Sequence, residues 1–366
     1  MMIILFQIYG NRRVYHLELT YSILSVLRFL KEDKAGIRVV LASDEANSRP
    51  DLPVEALTMT PEMLHRWQMG GTYNHAIQAY ALHHAVRHFD APVILVDSDT
   101  IFHDHPRRLF DRIGPGKMLM HAREGTLRDS DAWPEWRSLI DRSGGRVGGQ
   151  AVTPDSVMYN AGILGLCPSD ADRLDDVEAA MIDIRATSDM FTAVQLAASL
   201  VFDQGHVSTC EDLVEHYWDG PRAYYHYQMQ RMFPGVLEGK RIADPDMPLP
   251  PLRRSPPIAL RHRVAARAMR MRRAAGPELG YAYLAYRSAL SHRKSDPDLA
   301  NVWADAGLAM LTWGTRDTNA HPSDFSRFSG KQLRSQTWMK PDLQARWESY
   351  WSSVKDCNES SASPWT

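Results

Sequence analysis

Four consecutive apolar residues, Val93-Ile94-Leu95-Val96, run directly into Asp97-Ser98-Asp99-Thr100. An unbroken apolar run of strand length needs cover on both faces, so it belongs in the middle of a sheet with helices on either side. The surrounding pattern agrees. Met2 to Ile8 is a second apolar run, ending at Tyr9-Gly10-Asn11. A helical pattern follows from Leu17 to Leu30, then a strand from Ile37 to Ala42 that ends at Ser43-Asp44, then a helix over Thr72 to Phe89. Alternation of this kind predicts an α/β domain whose polar residues gather at strand ends, where such folds bind ligands.

Beyond the acidic turn the pattern loosens. Between Ala122 and Pro154 a polar stretch carries Gly144-Gly145 and Gly148-Gly149, which predicts a loop able to close over a ligand. Ile163 to Leu166 reads as another strand and Met190 to Phe202 as a buried helix. Seven prolines from Pro234 to Pro257 forbid a long helix or a central strand, so the expected organisation is a domain over 1–233 and a linker over 234–257. A helical region over 258–351 and a loose tail over 352–366 complete it. Arg253 to Lys294 holds eleven Arg or Lys residues against one acid, Glu278. Within it Leu260, Val264, Ala268 and Met271 share one helical face, with Arg263, Arg267 and Arg270 beside it.

Composition excludes several classes. The formal charge of −2 argues against a uniformly basic nucleic-acid coat, so no nucleic-acid partner is expected. No apolar stretch approaches the roughly 18–20 residues that span a bilayer, and the start lacks the pattern of a cleaved leader. Three scattered cysteines, Cys167, Cys210 and Cys357, offer no disulfide framework, and the default compartment is the cytoplasm.

The acidic turn carries chemistry. Side chains two apart in an extended segment point the same way, so Asp97 and Asp99 can aim at one point beyond the strand. Two carboxylates held that close repel unless a cation joins them, and oxygen ligands suit Mg²⁺ or Mn²⁺. A solvated strand-end turn would account for the same residues.

In this context the sequence resembles the metal-dependent, nucleotide-sugar-using glycosyltransferases of the GT-A fold, with features of family 8. The resemblance runs from Ile3 to His226. It rests on strand ends at Tyr9-Gly10 and Asp44, on Asp97-Ser98-Asp99, on Asn160-Ala161-Gly162-Ile163-Leu164-Gly165, and on His216-Tyr217-Trp218-Asp219-Gly220-Pro221-Arg222. The last piece is similar to a His-x-x-Gly-x-x-Lys element, with its glycine one place late and Arg for Lys. The fold so implied is a Rossmann-like mixed sheet flanked by helices, with a helical C-terminal extension. The resemblance makes Asp97, Asp99 and His216 the ligands of Mn²⁺ or Mg²⁺, with His226 as the fallback, and Arg222 a diphosphate clamp. It assigns donor contacts to Tyr9, Gly10, Asp44, Arg66, Asn74, Ser98, Asn160, Ala161 and Gly162. Packed-histidine, capping and turn roles are the alternatives for these residues.

Gln195 occupies the place of an Asp-Gln or Glu-Gln pair near the reacting sugar carbon, but Val194 stands where the acid would be. A satisfied buried amide is its other reading. Asp155 and Asp189 are the sequence's candidates for a base on the acceptor side. The implied reaction moves a sugar from a nucleoside-diphosphate donor, UDP-linked as in family 8, to a saccharide or lipid-linked acceptor. The basic region 258–294 reads as a solvated face, as a contact for an anionic membrane, or, third, as an RNA contact. A rival reading takes Asp97 as the nucleophile of a haloacid-dehalogenase-like phosphohydrolase, with Asp175-Asp176 as its later acidic motif.

Overall fold

The computed structural model describes residues 1–31, 36–130, 132–218, 222–254, 258–270, 276–317 and 338–360. Thirteen strands occur among them: β1 (Met2–Ile8), β2 (Ile37–Ser43), β3 (Glu55–Thr58), β4 (Val93–Val96), β5 (Thr100–Phe102), β6 (Lys117–Met120), β7 (Arg123–Thr126), β8 (Arg146–Val147), β9 (Gln150–Ala151), β10 (Val157–Tyr159), β11 (Ile163–Leu166), β12 (His206–Ser208) and β13 (Val214–His216). Seven form one sheet in the order β12-β6-β11-β4-β1-β2-β3. Only β11 runs antiparallel to its sheet neighbours.

The central strands are the continuous apolar runs. Ile3 to Phe6 of β1 and all of β4 are buried, as a sheet covered on both faces requires. From β1 the chain builds outward through β2 and β3, then crosses to place β4 on the other side of β1. Strand order reverses there, so the carboxyl ends of β1 and β4 flank the crevice where open α/β sheets bind ligands. Tyr9 and Asp97 directly follow those two ends.

The chain divides into two compact units, residues 1–218 with 229–250 and residues 219–228 with 251–366. The proline-rich stretch read as a linker over 234–257 is therefore split. Through Pro250 it lies on the first unit: Tyr21 donates to the Pro250 carbonyl (2.9 Å), and the Ile242 amide donates to Asp51 (3.0 Å). Prolines rule out regular elements but do not prevent extended backbone from packing.

Two further expectations are corrected. The stretch 122–154 is built structure, not a loop: β7, the helix Trp133–Ser143 and the β8–β9 hairpin. Trp136, Leu139, Val147 and Val152 are buried in the main core. Its glycines serve tight geometry, since Gly144 ends the helix in the left-handed conformation (φ 62°). The tail expected from 352 is helical as far as Ser360, in the helix Pro341–Ser360, because Trp347, Tyr350 and Trp351 bury one of its faces in the second unit.

That second unit is helical. Gly276–His292, Pro297–Asp317 and Pro341–Ser360 share a core with Tyr286 and Trp303. Among the described residues no helix is long and apolar enough to cross a membrane.

Candidate metal centre

The site begins with how β4 ends. The Asp97 amide donates to the Gly162 carbonyl (2.9 Å), carrying the β4–β11 pairing one residue past the strand. The chain then turns sharply, closed by Thr100 Oγ1 donating to the Asp97 carbonyl (2.8 Å). It continues as β5, which pairs antiparallel with β13 and sets His216 opposite Thr100. The Tyr217 amide donates to the Asp99 carbonyl (3.0 Å) and extends that ladder. A residue more than a hundred positions away is thereby fixed beside the acidic turn.

The ligand atoms of Asp97, Asp99 and His216 all lie within 4.8 Å of one another. Nε2 of His216 is 3.2 Å from Oδ1 of Asp99, and both side chains are nine-tenths buried or more. On the other edge of the ring, Nδ1 lies 2.8 Å from Oδ1 of Asn160. The Asn160 amide is oriented by its other bonds: Nδ2 donates to Glu124 Oε1 (2.8 Å), and Oδ1 accepts the Gly162 amide (2.9 Å). An oxygen facing Nδ1 favours a proton there, and in the neutral ring that leaves Nε2 as the nitrogen that can act as a ligand. Two carboxylates and one such imidazole nitrogen form a donor set suited to a divalent cation.

The surroundings hold this geometry. Gly162 lies so close to His216 that an added Cβ would sit 2.3 Å from Nδ1, which explains a glycine there. Gln78, on the helix Ile77–Phe89, donates to Asp97 Oδ1 (3.1 Å) and to the Ala161 carbonyl (2.6 Å). The His121 ring meets His216 edge-on and is anchored on the Val214 carbonyl (2.9 Å). Burial holds its pKa below the ordinary value, which keeps it neutral.

A carboxylate absent from the sequence reading joins the second half of the site. Glu124, on β7, accepts from Asn160 through Oε1 and from Gln195 Nε2 through Oε2 (2.7 Å). Gln195 is half-buried, and its amide nitrogen is taken up by Glu124. The segment before it is pinned by Tyr73, whose hydroxyl donates to the Phe191 carbonyl (2.6 Å) and accepts from the Val194 amide (3.1 Å). Burial pushes the Tyr73 phenol up to about 12, which keeps that donor protonated.

The other sequence candidates are not members of the cluster. Tyr9 follows β1, its phenol pushed up by burial and then by Asp97, and it donates to the Asn74 carbonyl (3.0 Å). Gly10 adopts φ +79°, a backbone requirement, since nothing lies within 4 Å of an added Cβ. Asp44 caps the short turn Glu45–Asn47, accepting from the Asn47 amide (2.9 Å). Ser98 lies between the two aspartates, and Arg66 is exposed on the last turn of Pro61–Trp67. Arg222 and His226 open the helix Arg222–Met232 and belong to the second unit, so the histidine of the cluster is His216. Residues 219–221 lie outside the described residues.

Asp155 and Asp189, the candidates for an acceptor-side base, lie outside the cluster. Each is an exposed carboxylate paired with an arginine, Arg128 at 2.9 Å and Arg185 at 3.2 Å. Asp189 lines a cleft of about 770 Å³ with Arg142, Arg185 and Met190, and that cleft includes none of the cluster residues. The phosphohydrolase reading loses its second motif. Asp175 and Asp176 sit in the first turn of the helix Arg173–Thr187, where Asp175 pairs with Arg87 (3.1 Å), outside the cluster.

Gln78 and His121 had a signal, each being polar among buried neighbours. Glu124 had none, because its partners are 36 and 71 residues away.

No protein-family model matches the chain, and no curated protein matches it. Among solved structures it is similar to mouse xyloside xylosyltransferase 1 in its apo form, at 12% identity over 57% of this chain and 84% of that one, with a TM-score of 0.34. It is also similar to galactosyltransferase LgtC in complex with donor and acceptor sugar analogs, at 14% identity over 65% of this chain and 95% of that one, with a TM-score of 0.41.

Proposed function

We propose that the chain is a metal-dependent glycosyltransferase that moves a sugar from a nucleoside-diphosphate donor, UDP-linked by the family resemblance, to a saccharide or lipid-linked acceptor. The observation that carries this reading is the meeting of Asp97, Asp99 and His216 just past the carboxyl end of β4, with Nδ1 of His216 facing the Asn160 oxygen.

Asp97, Asp99 and His216 would hold Mn²⁺ or Mg²⁺, which when bound supplies Lewis-acid stabilisation of charge on a departing diphosphate. The protein's part is positional. Gln78 restrains Asp97, and the β5–β13 ladder restrains His216 against Asp99, so little reorganisation is needed as charge develops. Tyr9 and Gly10, at the end of β1, offer the base and ribose a surface at the crevice.

Glu124 is a positioning residue in this scheme. By accepting the N–H groups of both Asn160 and Gln195 it fixes the orientation of each amide. The Gln195 carbonyl oxygen is then directed away from Glu124, available to the sugar. The weak preference of the family 8 likeness for retention of configuration fits an amide at that place.

The test is turnover. The full chain is incubated with a panel of nucleotide sugars and Mn²⁺, and released nucleoside diphosphate is measured with and without chelator. Release from one donor that stops on chelation is expected. Hydrolysis of simple phosphoesters, with no release from any nucleotide sugar, would reject the reading.

A further inference from the structure

The helix Leu260–Arg270, in the second unit, carries its large aliphatic side chains on the outside. At about 100° per residue Leu260, Val264 and Ala268 form one stripe. Leu260 is 74% exposed and Val264 61% exposed, and Ala268 is also exposed. The inward side is made of smaller groups: Ala266 is buried, and His262 meets the Tyr283 hydroxyl at 3.1 Å. Arg263 and Arg267 flank the outward stripe on one edge and Arg261 on the other, all three exposed. No acid occurs between Arg253 and Pro277.

We infer that this helix docks in the plane of an anionic membrane surface, with Leu260 and Val264 entering the acyl boundary and the arginines reaching lipid phosphates. An apolar centre with cationic edges is the arrangement an interfacial helix needs, because arginine stems lie along apolar surface while their heads stay among the headgroups. A second copy of the chain fits poorly, since a twofold contact through this face would set arginines against arginines with no acid to offset them. A nucleic acid would use the arginines but leave Leu260 and Val264 in water. The inference stands apart from the transferase reading, as none of these residues belongs to the metal centre.

The experiment is co-sedimentation of the full chain with vesicles of phosphatidylcholine alone or mixed with phosphatidylglycerol, at low and high salt. Pelleting with the anionic vesicles only, released by salt, is expected. The double variant Leu260→Ser, Val264→Ser should weaken partitioning about tenfold or more. Arg263→Gln with Arg267→Gln should weaken it about fivefold per arginine. These positions are exposed, so an unchanged thermal midpoint is the control for folding. A wild-type chain that stays in the supernatant overturns the inference, and so does a serine variant that pellets like wild type, since polyanion adhesion needs no aliphatic stripe. Self-association abolished by the serine pair, without vesicle binding, would likewise overturn it.

Discussion

Asn160 favours a proton on Nδ1 of His216, and Glu124 decides which way Asn160 faces. Glu124→Gln removes a charged acceptor from two amides at once. At roughly 1.5–3 kcal/mol for a hydrogen bond to a charged group, kcat should fall about 10–100-fold while KM for the donor changes little. Steady-state kinetics separates the two, and an unchanged kcat would remove Glu124 from the scheme. Gly162→Ala tests the fit of His216 from the other side, because the new Cβ would lie 2.3 Å from Nδ1. The ring must move, so Mn²⁺ affinity should drop about 10–100-fold by calorimetry, the range for disturbed ligand support. Wild-type affinity would mean that His216 is not a ligand. At this scale the sequence was informative where chemistry is local: Asp97 and Asp99 follow from their motif at a strand end, although they converge across a turn and not by extended alternation, and Gly162 from its motif. Glu124 was illegible as a site residue because its partners are set by tertiary pairing.

Among elements, the apolar runs of β1, β2, β4 and β11 were readable because a strand buried on both faces leaves a continuous apolar signature. The region 122–154 was misread because its glycine pairs dominate the composition, although Trp136 and Leu139 lie on one face of Trp133–Ser143 and fill the core. A core helix and a mobile lid respond differently to truncation. Trp136→Ala should destabilise the first unit by about 3–5 kcal/mol in urea unfolding. A cost within about 0.5 kcal/mol, the usual range for exposed positions, would restore the lid. The helix Leu260–Arg270 has the amphipathic period its sequence implies. Which of its faces packs was not legible, because alanines and a histidine can seat a helix as well as leucines when the neighbour offers a polar group such as Tyr283.

For the whole molecule, several histidines are buried in a way that ties stability to pH. Burial lowers the pKa of His16 and of His121 below the ordinary value. The unfolded chain, titrating near 6.5, then binds more protons than the folded one, so stability is retained above that pH and lost as pH falls through and below it. The thermal midpoint in chelator should therefore be lower at about pH 5.5 than at about pH 7.5, and an equal or higher midpoint would contradict the assignment. The α/β class and the position of the crevice were legible from strand order and strand ends. The division into two units was less so, because prolines mark where regular structure stops, not where packing stops, and residues 229–250 belong with the first unit. The central claim is that Asp97, Asp99 and His216 share one cation with a nucleoside diphosphate. Anomalous diffraction from crystals grown with Mn²⁺ and UDP tests it most directly: a single peak is predicted within coordination distance of both carboxylates and of His216 Nε2, in contact with the diphosphate. Bound UDP with no peak among those three side chains would contradict it.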